Sequence, residues 1–184
     1  MIKSILTTLI TVFLVAACSS AGQMQSSNSN KGTDGSSASD DMVASWYDHT
    51  NKAYSDSTEF VGLGMAVAAD SSEAMEVSMS QASANLGYSI DSYAENIRRE
   101  LADDADENGV SSGSFIQSLR SAVNGLQFSE SDLSETVEYE MKENGAVIAY
   151  SKVSVRRHLA IDRLASSIDN NTFSSSLRES LSLQ

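Results

Sequence analysis

Few side chains in this sequence could perform chemistry, and the foremost is Cys18, the chain's single cysteine. It follows Lys3, an apolar stretch from Ile5 to Val15, and the small residues Ala16 and Ala17. A positive start, an apolar middle and small residues before a cleavage point make a secretory signal, and Val15-Ala16-Ala17-Cys18 has the form of a lipobox. The chemistry of a lipobox is covalent. The thiol is joined to a diacylglycerol, the chain is cut before the cysteine, and the new amino group is acylated, with palmitate for example. Residues 1–17 are therefore expected to be a signal peptide, and Cys18 the lipidation site. About three acyl chains, each gaining about 0.8 kcal/mol per buried CH₂, exceed the two signals that stable anchoring takes. The other readings are a cleaved signal with a chance cysteine and an uncleaved membrane helix. An apolar run of about 11 residues falls short of the roughly 20 that a bilayer crossing needs.

The second candidate is acidic. From Asp104 the run Asp-Ala-Asp-Glu-Asn-Gly sets Asp104, Asp106 and Asn108 at the first, third and fifth positions of an EF-hand calcium loop, with Gly109 at the sixth. The twelfth position, where a bidentate Glu belongs, is Phe115, and the eighth is Ser111 rather than an aliphatic residue. Without that Glu, affinity should fall towards millimolar, and the competing reading is an acidic helix end closed by Gly109. His49 and His158 are the only histidines. With no nucleophile-elbow motif and no thiol left after lipidation, they assemble no catalytic set, so an enzyme is not expected. Nor does the sequence call for a dissociable cofactor beyond the covalent lipid on Cys18.

Composition narrows the partners. Loss of Lys3 with the signal leaves 11 basic residues against 25 acidic ones, a formal charge of −14. Such a surface repels nucleic acid and anionic headgroups, so nucleic-acid binding is not expected. Residues 18–41 comprise the lipidated Cys and a tether of Ser, Asn, Gly and Asp, with an end-to-end distance of roughly 25 to 30 Å as a coil. Residues 42–184 are expected to form a single α+β domain ending in a Ser-rich C-terminal tail. The anchor takes the only thiol, so the core must hold that domain without a disulfide. The chain has no proline, which suits long helices.

The elements that would carry these residues follow from periodicity. Trp46 and Tyr47 open the ordered part, and a polar connection runs through Thr58. Phe60 to Ala68 (FVGLGMAVA) is apolar throughout and reads as a central strand, with Gly62 and Gly64 on one face where something approaches closely. Its G-x-G lacks the third glycine of a phosphate loop and lies inside the strand. Asp70 and Glu73 form a capping box. Met75, Met79, Ala82, Leu86, Ile90, Tyr93, Ile97 and Leu101 then make one apolar stripe, whose mean step of about 3.7 residues predicts a long helix lying on a sheet. Gly87 is a point where that helix could bend, and Glu95 belongs to its exposed face. Phe115, Leu119, Val123 and Leu126 predict a second helix over 114–124. Val137, Tyr139 and Met141 alternate with Thr136, Glu138 and Glu140, then Asn144-Gly145 marks a tight turn before a strand over 147–155. Arg156, Arg157 and His158 lead into a helix bearing Leu159, Leu164 and Ile168, and Phe173, Leu177 and Leu181 space a weak amphipathic helix in the tail. The expected fold is a small antiparallel sheet of about three strands packed against a long helix and shorter helices.

This order, FVGLGMAVA, SSEAMEVSMSQASANLGYSI, FSESDLSETVEYEM, an Asn-Gly turn and VIAYSKVSVRR, resembles the Lpp-twenty family of outer-membrane lipoproteins over about residues 46–165. The resemblance, which includes FlgP-like proteins of flagellar basal structures, implies a compact α+β domain, no catalytic residues, and in some members ring-like assembly. Ser19, in place of an Asp after the lipidated Cys, implies sorting to the bacterial outer membrane, with the domain facing the periplasm. The function expected is a structural or assembly lipoprotein of the cell envelope, associated with the flagellum and motility. Its partners would be the membrane, other envelope or flagellar proteins, and copies of itself, met through Arg98, Arg99, Arg156 and Arg157. The alternative is a tethered periplasmic module that binds calcium or another ligand.

Overall fold

Among the described residues, four strands and four α-helices follow one another in pairs: β1 (Ala53–Ser55), β2 (Glu59–Ala68), α1 (Ser71–Asp104), α2 (Gly113–Asn124), β3 (Leu133–Met141), β4 (Val147–Arg156), α3 (Arg157–Ser167) and α4 (Asn171–Glu179). The computed structural model describes residues 44–104 and 109–182, all within one unit, Asp40–Gln184. The strands form one antiparallel sheet in the order β1-β2-β4-β3. The fold is therefore α+β as expected, with four strands where about three were expected. The extra one, β1, lies inside the stretch read as a polar connection. It has only three residues at a sheet edge, too short to show a period, and is held by pairing Ala53–Ser55 with Phe60–Gly62.

The apolar run of β2 is explained by cover on both faces. Alternation turns Phe60, Gly62 and Gly64 towards α1, and Val61 and Leu63 towards the other face, where they pack with Ala44, Tyr47 and Tyr150. The glycines let α1 settle onto the strand. A Cβ at Gly62 would lie 2.1 Å from the Ala82 carbonyl oxygen and 2.2 Å from the Leu86 nitrogen, and one at Gly64 would lie 2.0 Å from the Ser78 carbonyl oxygen. No side chain larger than hydrogen fits at either position.

Helix α1 starts where Asp70 Oδ1 accepts the Glu73 N–H at 2.9 Å, and its 34 residues extend about 51 Å at 1.5 Å each. The expected stripe is rotated slightly at its first half. Ala74, Ser78 and Ala82 are fully buried, whereas Met75 and Met79 sit partly buried beside them. Contact with two glycines leaves room for small side chains alone, so the methionines flank the seam. Further along, Leu86, Ile90 and Ala94 take the buried line. Gly87 lies within the unbroken helix. Polar side chains in the seam are satisfied: Ser78 and Ser151 share a hydroxyl hydrogen bond of 2.6 Å, Asn85 donates to the Leu63 carbonyl at 2.7 Å, and Ser89 to the Tyr54 carbonyl at 2.6 Å.

The remaining helices close the core at the far end of α1. Ser112 caps α2, whose Phe115, Leu119 and Val123 turn inward. The amphipathic helix expected in the Ser-rich tail is α4, and its apolar side packs into the core. Asn170 Oδ1 accepts the Phe173 N–H at 2.9 Å to start α4, and Phe173 and Leu177 are completely buried. Phe173 meets Phe115 edge to face at 5.2 Å. The β3–β4 hairpin turns at Asn144-Gly145, where Gly145 takes φ +83° and Lys142 and Ala146 are bonded at 2.8 Å.

Candidate functional site

Cys18 lies outside the described residues, as do Asp106 and Asn108, while Asp104 closes α1 with its side chain also outside them. Phe115, at the twelfth position of the would-be calcium loop, is 9% exposed and packed on Phe173, so that position faces the core rather than the loop. His49 is exposed, with its ring edge to face on Tyr47 at 4.9 Å. His158 is exposed at the start of α3.

The four arginines expected to meet partners separate in the structure. Arg157 is 4% exposed and serves as an internal tie. Its guanidinium donates to the Asp56 carbonyl and to the Tyr93 hydroxyl, both at 2.8 Å, and stacks 4.6 Å above the Tyr93 ring. It thereby joins the β1–β2 turn to α1, and is not a surface contact. Arg98 and Arg99 converge on Glu95 at 2.7 and 3.1 Å. Arg98's hydrogen bonds, ahead of those from Arg99, lower the Glu95 carboxyl to about 2. Glu95, read as an exposed charge, is a half-buried bridge, because a residue beside the stripe lies at the helix shoulder rather than on its outer face. Arg156 is exposed.

What the fold does expose is a groove and an edge. The groove, about 550 Å³, runs between α1 and α2 past Gly87, Tyr88, Asp91, Arg120 and Leu126. Nothing stands within 4 Å of where a Gly87 side chain would begin. Ser83, Gly87, Val123 and Leu126 also line an adjoining pocket of about 210 Å³ floored by Leu86, Ile90 and Val153. Tyr88, 64% exposed, and the opposite charges of Asp91 and Arg120 stand at the groove's walls. An apolar floor with a few polar wall groups suits a small apolar moiety.

The edge is β3. A helix about 10 Å across covers about two strands spaced 4.8 Å apart, and α1 packs chiefly on β2 and β4. The α1-facing row of β3 therefore lies beyond its cover, leaving Tyr139 60% and Met141 73% exposed. Alternation in the sequence located this strand, but its period does not tell how far the helix reaches. On the other face Glu138 accepts the Trp46 indole N–H at 2.6 Å and Glu140 pairs with Lys142 at 2.7 Å. Among the described residues, no helix is long and apolar enough to cross a membrane. No protein-family model matches this chain, and neither a curated protein nor a solved structure does.

Proposed function

We propose that this protein is a lipid-anchored structural or assembly lipoprotein of the bacterial outer membrane, acting by association rather than turnover. The observation that carries the reading is Val15-Ala16-Ala17-Cys18 at the end of a short apolar stretch, followed by a long polar segment. The uncovered row of β3 supports association, since apolar side chains left on a sheet edge mark a contact surface. Anchoring confines every copy to one surface and raises effective concentration, so weak contacts suffice. Resemblance in element order to the Lpp-twenty family supports a place among flagellar basal structures. Labelled fatty acid should enter the wild type and not Cys18→Ala, and the labelled protein should fractionate with the outer membrane. Equal labelling of both would refute the anchor.

The groove at Gly87 favours a second reading, a tethered ligand-binding module. Such a module would remain monomeric in detergent extracts and gain thermal stability with its ligand, whereas an assembly protein would yield multimers.

A further inference from the structure

The sheet has two edges of unequal design. β1 offers three residues, the short edge that commonly protects a sheet, whereas β3 offers nine. On its outer side β3 has no partner strand among the described residues. Three carboxylates, Glu135, Glu138 and Glu140, are distributed along it, and they discriminate among the ways in which the edge could be extended.

We infer that β3 pairs antiparallel with β3 of a second copy of this chain, about a two-fold axis at Val137, joining two sheets into one of eight strands. This rests on the reading of the protein as an anchored assembly lipoprotein. A two-fold normal to the sheet keeps the α1 side of both copies on one face, so residues of like parity meet. Centred on Val137, it sets Leu133 opposite Met141, Ser134 opposite Glu140, Glu135 opposite Tyr139, and Thr136 opposite Glu138. Each of the strand's three acids then faces a neutral side chain, and Asp132, just ahead of the strand, faces Lys142. Neighbouring registers fail this test. An axis at Glu135 or at Glu138 puts that residue against itself, one at Thr136 sets Glu140 against Asp132, and one at Tyr139 sets Glu138 against Glu140. Like charges directly opposite destabilise a strand pair. The Val137 register also covers the two most exposed apolar residues of the strand, seating Met141 on Leu133 and Tyr139 on the stem of Glu135.

One strand pair buries less than the roughly 1,200 Å² typical of stable complexes, and two copies of formal charge −14 repel. The contact is therefore weak in dilute solution and depends on confinement at the membrane surface. That dependence suits a protein whose only thiol sits ahead of a long tether.

Cysteine crosslinking of the full chain in intact cells tests the register. Opposite residues hold their Cβ atoms about 4.5 to 5.5 Å apart, close to disulfide geometry. Under mild oxidant, Val137→Cys should give a reducible dimer well above the wild-type background. Glu135→Cys places its two thiols about 14 Å apart, four residues at 3.4 Å, and should give at least tenfold less. The double variant Glu135→Cys with Tyr139→Cys, at two exposed positions that disturb no core, should restore the dimer. Equal yields from the two single variants would overturn the register. If neither Val137→Cys nor the double variant crosslinks while an amine-reactive reagent still yields wild-type multimers, the β3 contact is wrong and assembly uses another surface. Absence of multimers with both reagents would remove the assembly reading itself.

Discussion

Gly62→Ala is the smallest change that tests the seam between β2 and α1. The added Cβ would lie 2.1 Å from the Ala82 oxygen and 2.2 Å from the Leu86 nitrogen, whereas real Cβ contacts essentially never fall under 3.0 Å. Both obstacles are helix backbone, so no rotamer change relieves them. The helix must retreat by about 1 Å or more, loosening Ala82 and Leu86 against the sheet. Overpacking costs about 1 to 3 kcal/mol where side chains can adjust; with backbone opposing, a loss of about 3 kcal/mol or more is expected. The alanine gains about 0.5 to 1 kcal/mol for replacing glycine in a strand, too little to compensate. For a domain of this size each kcal/mol moves Tm by roughly 2 to 4 °C, so Tm should fall by roughly 6 to 12 °C. Gly87→Ala is the control: with nothing within 4 Å of the new methyl group, it should stabilise by about 0.4 to 1 kcal/mol. Thermal and urea unfolding of the chain from Met42 onwards, followed by circular dichroism, would measure both. A Gly62→Ala variant as stable as the wild type would refute the close packing of α1.

Other perturbations separate the remaining contacts. Ser78→Ala should cost about 1 to 3 kcal/mol by orphaning the buried Ser151 hydroxyl, 2.6 Å away, while Ser78→Ala with Ser151→Ala should recover part of it; additive losses in a double-mutant cycle would deny the pair. Acid should weaken the fold in a set window. Hydrogen bonds from Arg98 first and Arg99 next lower Glu95 from 4.5 to about 2, and those from Ser129 first and Arg163 next lower Asp132 from 3.8 to about 2. Both carboxylates bind fewer protons folded than unfolded, so their contribution is intact above about pH 4.5 and lost as pH falls towards 2. Glu95→Gln should flatten that dependence, and an unchanged acid limb would count against the bridge. Calorimetry should detect no micromolar calcium binding, because Phe115 cannot supply the twelfth ligand; micromolar binding abolished by Asp104→Ala would overturn this.

The readable parts of the fold were those with a local signature. β2 declared itself by an unbroken apolar run with paired glycines, α1 by its stripe and the Asp70 cap, and the β3–β4 hairpin by Asn144-Gly145. The unreadable parts depend on partners distant in sequence. Met75 and Met79 give the strongest apolar signal in the first turns of α1, yet the glycine seam selects Ala74 and Ser78. The spacing of Phe173, Leu177 and Leu181 marks the helix α4 but not its seat, which Ser174 shapes by donating to the Ala165 carbonyl at 2.9 Å and letting the helix lie close. Arg157 carries a charge that composition assigns to the surface, while Tyr93 and the Asp56 carbonyl meet it inside. Neither the groove at Gly87 nor the open row of β3 could be read, since each is defined by what fails to cover it.

Association at an anchored surface is the property to which the lipobox-like segment and the open row of β3 together point. Its most direct test is amine crosslinking in intact cells of the wild type beside Cys18→Ala, followed by detergent extraction and immunoblotting. Wild type should give a ladder or a fixed larger species that fades in Cys18→Ala, because release from the surface removes the effective concentration that drives assembly. A wild-type pattern that is purely monomeric would contradict it.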